Sequence, residues 1–258
     1  MENLNGQVAI ISGALGDIGR AIALELASRG ANIALGDLHE EDAASGILTA
    51  LGDLNISARY DCVDVANAPA VSAWIEKVAL TLGTPTLIIP NAAIVTLKNV
   101  AEISRDEWAQ EISINLNGAF YMAQNAALRL VKEQREGRIV FIGSWAAERP
   151  HPHIPAYSAA KAGLRMLMQC MALEFAPKGI LVNEVAPGYV NAGLSGKIFD
   201  SEPELKEAAR LRVPIQKLIE PGEVAAHVAY LCDPQNRHMT GSVLTLDGGL
   251  SLQGTLKA

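Results

Sequence analysis

Aromatic residues make up only 5% of this 258-residue sequence, and the 21 Lys and Arg are outnumbered by 28 Asp and Glu. A net charge of −7 with so few aromatics offers neither the basic face nor the stacking platforms of a nucleic-acid-binding surface, so no nucleic-acid partner is expected. Cysteine is scarce as well. Cys62, Cys170 and Cys232 are odd in number and widely separated, which fits neither a disulfide framework nor a zinc site, and no metal is expected. No apolar run approaches the roughly 20 residues of a membrane helix. The opening MENLNGQVAIISG has an acid at position 2 and no basic stretch before its short apolar run, unlike a secretory signal. Repeats and low-complexity tracts are also missing. The expectation is a soluble cytoplasmic protein with no membrane partner. Half the residues are hydrophobic and 19% are charged, which suits a globular chain long enough to bury a large core.

What is present is a regular alternation. Apolar strands at 7–12, 31–37, 58–65, 86–93, 138–144, 180–188 and 242–249 are separated by segments of helical period at 17–30, 39–51, around 71–78, 105–135 and 157–176. The strands are apolar on both faces, as when helices cover both sides of a parallel sheet. The fold class is therefore α/β, a Rossmann-type doubly wound sheet of about seven parallel strands, built as one domain over 1–258. Only 189–222 breaks the rhythm, with clustered glycine, proline and charge and a short amphipathic piece at 203–212. It reads as a mobile loop beside a substrate.

The first strand runs into SGALGDIG (12–19), which opens a helix. Glycines here allow a tight turn and let a pyrophosphate approach a helix N-terminus, where free N–H groups favour an anion. A plain strand-to-helix turn would need glycine too. Position argues for nucleotide binding, because an acid, Asp37, ends the second strand 18 residues after Gly19, where a carboxylate accepts from a ribose 2′-hydroxyl. A 2′-phosphate would meet that carboxylate, and neighbouring Gly16, Leu38 and His39 bring no permanent positive charge. The cofactor expected is NAD.

YSAAK (157–161) puts Tyr157 and Lys161 on one helix face. A phenol with a pKa near 10 is a poor base at neutral pH, and a nearby ammonium would lower that value. The pair could then remove a proton from an alcohol as hydride leaves its carbon. Alone, the spacing also suits two surface residues. Ser144 ends the fifth strand, 13 residues before Tyr157, where its hydroxyl could hold the substrate oxygen. Asn115 lies in an apolar helix, where a buried amide needs partners or simply bends the helix with Gly118.

The glycine turn, PNAA (90–93), Asn115, Ser144, Tyr157, Lys161, and the pair Pro187 and Gly188 occur in the order found in the short-chain dehydrogenase/reductases. The sequence resembles that family over essentially its whole length. The resemblance implies Tyr157 as acid/base, with Lys161 lowering its pKa and holding the nicotinamide ribose. Ser144 would orient the reacting oxygen and Asn115 would sustain a proton relay through water. It further implies cofactor contacts at Ser12, Gly13, Gly16, Asp17, Ile18, Gly19, Asp37, Leu38, Asn91, Ala92, Ala93, Tyr157, Lys161, Pro187, Gly188 and Val190, with Asp64 and Val65 near the adenine. Three departures stand out: the middle glycine of the turn is at 16 with Asp17 in its usual place, PNAA replaces N-N-A-G, and Ala192 replaces a common threonine. Asp17 is expected to point outward or to cap the helix.

Between Ser144 and Tyr157 lies WAAERPHPHIPA (145–156), stiffened by proline and rich in polar groups. Trp145, His151, His153, Tyr189 and Asn191 join Ser144 and Tyr157 as substrate candidates, with Arg149, Glu148 and Phe199 nearby. These side chains also suit a solvent face or an interface. Lys197, Lys206, Arg210 and Arg212 favour an anionic substrate or mark a solvated face. The reading is an NAD-dependent dehydrogenase of a small-molecule substrate with a secondary hydroxyl: a sugar, polyol or hydroxy acid. Reduction of an acyl thioester or apolar ketone is the alternative, followed by a dinucleotide-binding sensor and a methyltransferase. The resemblance also implies a homotetramer paired through 105–135 and 157–176, where Met122, Leu128, Met166, Leu167 and Met171 suit either an interface or the core.

Overall fold

The computed structural model describes residues 3–193, 196 and 202–252. Seven parallel strands form a single sheet in the order β3-β2-β1-β4-β5-β6-β7. They are β1 (Val8–Ser12), β2 (Asn32–Asp37), β3 (Ala58–Cys62), β4 (Leu87–Ile89), β5 (Gly137–Ile142), β6 (Ile180–Pro187) and β7 (Val243–Leu246). The helices are α1 (Asp17–Ser28), α2 (Ser45–Gly52), α3 (Ala68–Thr81), α4 (Arg105–Ile112), α5 (Ala119–Lys132), α6 (Pro155–Phe175), α7 (Pro203–Arg212) and α8 (Pro221–Cys232). Among the described residues no helix is long and apolar enough to cross a membrane.

Helix starts follow local chemistry. Ser104 and Glu107 form a capping box at α4, Glu220 and Glu223 form another at α8, and Asn67 accepts from the Ala70 N–H at α3. Proline stands in the first turn of α3, α6, α7 and α8, where its missing N–H costs nothing. On one face of the sheet Ile22, Leu26, Ile47, Leu51, Val224 and Val228 from α1, α2 and α8 pack together. On the other, Trp74, Val78, Met122, Leu130, Met168 and Phe175 come from α3, α5 and α6. Each such side chain taken from water contributes about 1.5–3 kcal/mol, which explains why the strands are apolar on both faces.

Several expectations are refined. Strand β4 stops after three residues at Pro90, and β3 ends at Cys62 rather than at 65. The segment 39–51 is a 3₁₀ turn over Glu41–Ala44 followed by α2. The long helix at 105–132 is interrupted by a π turn over Ser113–Gly118, the wider i→i+5 winding that re-aims side chains. Met122 and Met171 belong to the core, whereas Leu128 and Met166 are exposed. The segment after β6 is tied down where it is described, since Val190 pairs with Ile219 and Pro203–Arg212 forms α7.

Candidate active site

The strand order reverses between β1 and β4, and the crevice there opens at the carboxyl ends of the strands, where this fold class binds ligands. Ser12 ends β1, buried, and its Oγ accepts the N–H groups of Asn91 at 3.0 Å and Ala92 at 3.2 Å. Asn91 Nδ2 answers by donating to the carbonyls of Ser12 and Gly13, each at 3.0 Å. The glycine turn is thereby locked to the end of β4. Gly13 has φ +61°, and a Cβ there would lie 2.7 Å from Ala92 Cα. At Gly19 a Cβ would lie 2.3 Å from the Gly13 carbonyl oxygen. Both glycines are therefore required by the protein's own packing.

Gly16 is different. A Cβ there would meet only the Gly13 carbonyl oxygen, at an ordinary 3.5 Å. The position is exposed, and as N-cap of α1 it has no side chain to satisfy the first N–H groups of the helix. Open space in front of unpaired amides is the cradle a pyrophosphate requires. Ile18 is half-buried against the α1 side of the core.

Asp37, at the end of β2, is mostly buried. Its Oδ2 accepts the Leu15 N–H at 3.0 Å, and its Oδ1 accepts the Leu38 N–H at 2.8 Å and lies 2.8 Å from His39 Nδ1. The carboxylate thus braces the glycine turn against β2. Leu38, Asp64 and Ala93 are exposed on the crevice side, while Val65 is buried against Gly118 of the π turn. Pro187 closes β6, and Gly188 is needed because a Cβ would sit 2.9 Å from Asp247 Cβ. These features fit a dinucleotide.

Asp17 does not cap the helix. It is exposed, and its Oδ2 accepts the Gly193 N–H at 2.7 Å from the segment after β6. The turn and that segment are therefore joined by a carboxylate at the mouth of the cradle. Half-buried Ala192 packs against the core and brings no hydroxyl.

Tyr157, Lys161, Ser144 and Asn115 converge at the ends of β4 and β5. Buried Lys161 donates from Nζ to the Ile142 carbonyl at 2.7 Å and stands 5.5 Å from the centre of the Tyr157 ring. Ser144 Oγ accepts the Ala146 N–H at 3.1 Å, which leaves its own hydrogen to donate. Asn115 is buried, and its amide both accepts from the Ile94 N–H and donates to the Ile94 carbonyl, each at 2.8 Å. Burial pushes the Tyr157 phenol up to about 12; Ser144 opposes this, and the charges of Glu111 and Glu184 add to it. The expected lowering by Lys161 is absent here. Burial takes the ammonium itself down to about 8, against a lift from Glu184, and one of its three donors is engaged by the Ile142 carbonyl. Desolvation penalises both charged forms at once.

Two groups escaped the sequence reading. Glu111, one turn before Asn115, is fully buried; its Oε2 accepts the Thr96 N–H at 3.2 Å and its Oε1 has no partner. Burial raises its carboxyl, with the Thr96 contact opposing. In sequence it reads as one more acid in the polar run DEWAQE (106–111). The other is Arg165, paired with fully buried Glu184 of β6. The i+4 spacing from Lys161 was a usable signal for Arg165, but nothing in sequence points to its partner.

Of the substrate candidates, Trp145 packs edge-on against His151 at 4.5 Å and Tyr189 at 5.3 Å, an aromatic wall beside Ser144. Burial, with help from Arg212, lowers the His151 pKa against the lift of the Arg149 carbonyl. His153 is exposed. Asn191 Nδ2 donates to Glu220 Oε1 at 2.9 Å, away from a free role. Arg149 donates to the Ser251 carbonyl, and Arg210 is paired with Glu207 and the Gln216 carbonyl. Lys197 and Phe199 lie outside the described residues.

The family model described as enoyl-(acyl carrier protein) reductase matches residues 13–251. A 3-oxoacyl-(acyl-carrier-protein) reductase from Vibrio cholerae is 32% identical, over 96% of this chain and 98% of its own length. Among solved structures, a short-chain type dehydrogenase/reductase from Mycobacterium marinum superposes with TM-score 0.90 at 28% identity, covering 96% of each chain. An NAD+-bound xylitol dehydrogenase superposes with TM-score 0.90 at 27% identity, covering 96% of this chain and all of that one. The ordered residues of the crevice and these likenesses lead to one conclusion: the chain belongs to the short-chain dehydrogenase/reductases, oxidoreductases that use a nicotinamide dinucleotide.

Proposed function

We propose that the protein is an NAD-dependent dehydrogenase of a secondary hydroxyl on a small polar molecule, a sugar, polyol or hydroxy acid. The observation that carries the reaction is the convergence of Tyr157, Lys161 and Ser144 at the end of β5. Ser12, Gly13, Gly16, Ile18, Gly19, Asn91, Ala92, Ala93, Pro187, Gly188 and Val190 would hold the dinucleotide along the crevice. Asp64 and Val65 would lie near its adenine. Asp37 would accept from the ribose 2′-hydroxyl and repel a 2′-phosphate. When bound, the dinucleotide supplies the hydride acceptor or donor.

Tyr157 Oη takes the hydroxyl proton as the carbonyl forms and returns it in the reverse direction. Ser144, whose Oγ accepts the Ala146 N–H, donates its hydrogen to the substrate oxygen. Lys161, fixed on Ile142 with its Nζ 5.5 Å from the centre of the Tyr157 ring, would hold the nicotinamide ribose. Asn115 clamps Ile94, and the water relay of the family would run from its remaining Nδ2 hydrogen or main-chain carbonyl. Trp145, His151, Tyr189 and the neighbouring Asn191 and His153 border the substrate.

The aromatic wall with polar groups at its edge suits a small hydroxylated molecule, and the likeness to a xylitol dehydrogenase supports that class. A second reading, reduction of an acyl thioester with NADPH, is favoured by the family model and the Vibrio cholerae relative. The test is nicotinamide turnover with sugars, polyols and hydroxy acids against a 3-oxoacyl thioester. Turnover of NAD+ with a polar alcohol supports the first reading; turnover only of the thioester or of apolar ketones replaces it with the second.

The chain acts as one domain, with 189–222 bordering the substrate, in a cytoplasmic setting that suits its free thiols. We take it to be a homotetramer, in which copies cover the exposed Leu128, Met166 and Leu173 of α5 and α6.

A further inference from the structure

The face of α6 that carries Tyr157 and Lys161 continues to Arg165, four residues further on. The chemistry described above makes no use of Arg165, yet its guanidinium is only 12% exposed and fully engaged. Its Nε and Nη2 donate to Glu184 Oε2 at 3.0 Å and Oε1 at 2.8 Å, a two-pronged pair. Nη2 also donates to the Ser144 main-chain carbonyl at 3.2 Å, and Nη1 donates to Glu148. Glu184 is fully buried in β6, and a Cβ at Gly143 would fall 1.9 Å from its Oε1. The backbone beside Ser144 is therefore bare to admit this carboxylate. A buried ion pair is a weak source of net stability, so its presence directly behind the site calls for another reason.

We propose that Arg165 and Glu184 are positioning residues of the active site: Arg165 fixes the main chain of Ser144 and, through Glu148, the wall at 145–148, while Glu184 sets the negative charge behind Lys161 and Tyr157. The inference rests on the reading of Tyr157, Lys161 and Ser144 as the reacting groups. The ionisable groups packed about this part of α6 are Tyr157, Lys161 and Arg165 on the helix itself, Glu184 on β6, Glu148 after Trp145–Ala147 and Glu111 on α4. Of these, Glu184 lifts the Lys161 ammonium against the downward pull of burial, and Glu184 with Glu111 lifts the phenol. Glu184→Gln keeps the shape and removes the charge. Both groups then ionise at lower pH.

The test measures the pH–rate profile, KM and kcat, NADH binding and thermal melting for Glu184→Gln, Arg165→Lys and Glu148→Gln. It adds an ultraviolet titration of the phenol, read as each protein minus its Tyr157→Phe counterpart, which needs no turnover. In Glu184→Gln the phenol titration and the acid limb of kcat for alcohol oxidation should move down by about half a pH unit or more, with NADH affinity within about twofold of wild type. Arg165→Lys, which keeps the charge but loses the fork, should lower kcat about tenfold. Glu148→Gln should raise KM severalfold and spare kcat. A purely structural pair would lower the melting temperature and leave the phenol titration and the limb in place, and that result overturns the proposal. If Glu184→Gln does not fold, Arg165→Met with Glu184→Met replaces the pair by apolar groups; a folded double variant with the wild-type phenol titration overturns it equally. Absence of wild-type turnover on every substrate would count against the proposed reaction, while the phenol titration still decides the positioning role.

Discussion

The two ends of the crevice are built differently. At the catalytic end, Lys161 and Asn115 are buried and each is held by main-chain groups of β5 or of the segment after β4, so their positions are fixed before any substrate arrives. At the dinucleotide end, the glycine turn is locked to β4 through Ser12 and Asn91, but its mouth is exposed and carries Asp17, bonded across to Gly193. The chain keeps the family's residues where we propose that protons move and departs from them where a pyrophosphate would lie. A proton-transfer site tolerates little displacement, whereas a binding turn can trade affinity for an added contact.

The largest effect should come from breaking the catalytic end. Tyr157→Phe removes the proposed acid/base and should cut turnover by about 10²–10⁴-fold while NADH binding persists. Steady-state rates with a fluorescence titration check both, and unchanged turnover would remove Tyr157 from the mechanism. Next comes the carboxylate that joins β2 to the turn. Asp37→Ala should cost NADH roughly tenfold in affinity, about 1.4 kcal/mol, with little loss for NADPH, so that the preference narrows.

Asp17→Asn keeps the side-chain shape, removes a negative charge from the mouth of the cradle and should tighten NADH binding about three- to tenfold. Calorimetric titration would detect it, and equal or weaker binding would show that Asp17 does not oppose the cofactor. The smallest expected change is at Glu111. Its charge raises the Tyr157 phenol, so Glu111→Gln should let the phenol ionise more easily. The acid limb of alcohol oxidation should then move to lower pH by about half a unit, and a stationary limb would mean that Glu111 is neutral throughout the working range.

The same contrast governs how much could be seen in the sequence. All seven strands were visible because helices on both faces demand continuous apolar runs, and the crevice residues were visible because local turns and i+4 spacing bring them together. The π turn at Ser113–Gly118 was not, since one extra residue in a helical winding leaves no period of its own. The partners of Asp17 and Arg165 were hidden for a similar reason: Gly193 lies 176 residues away and Glu184 sits on another element. Glu111 looked solvated among neighbouring acids, and only the packing of α4 against α6 and the 94–96 segment buries it. The expected drop in the Tyr157 pKa failed because spacing reports proximity and not solvent exclusion, which dominates both members of the pair.

The most direct measurement is a paired fluorescence titration of the wild-type protein with NADH and NADPH in one buffer. NADH should bind at least about tenfold tighter, because Asp37 favours a hydroxyl over a phosphate. Equal affinities, or a preference for NADPH, would contradict the role given to Asp37 and move the protein toward the reductive reading.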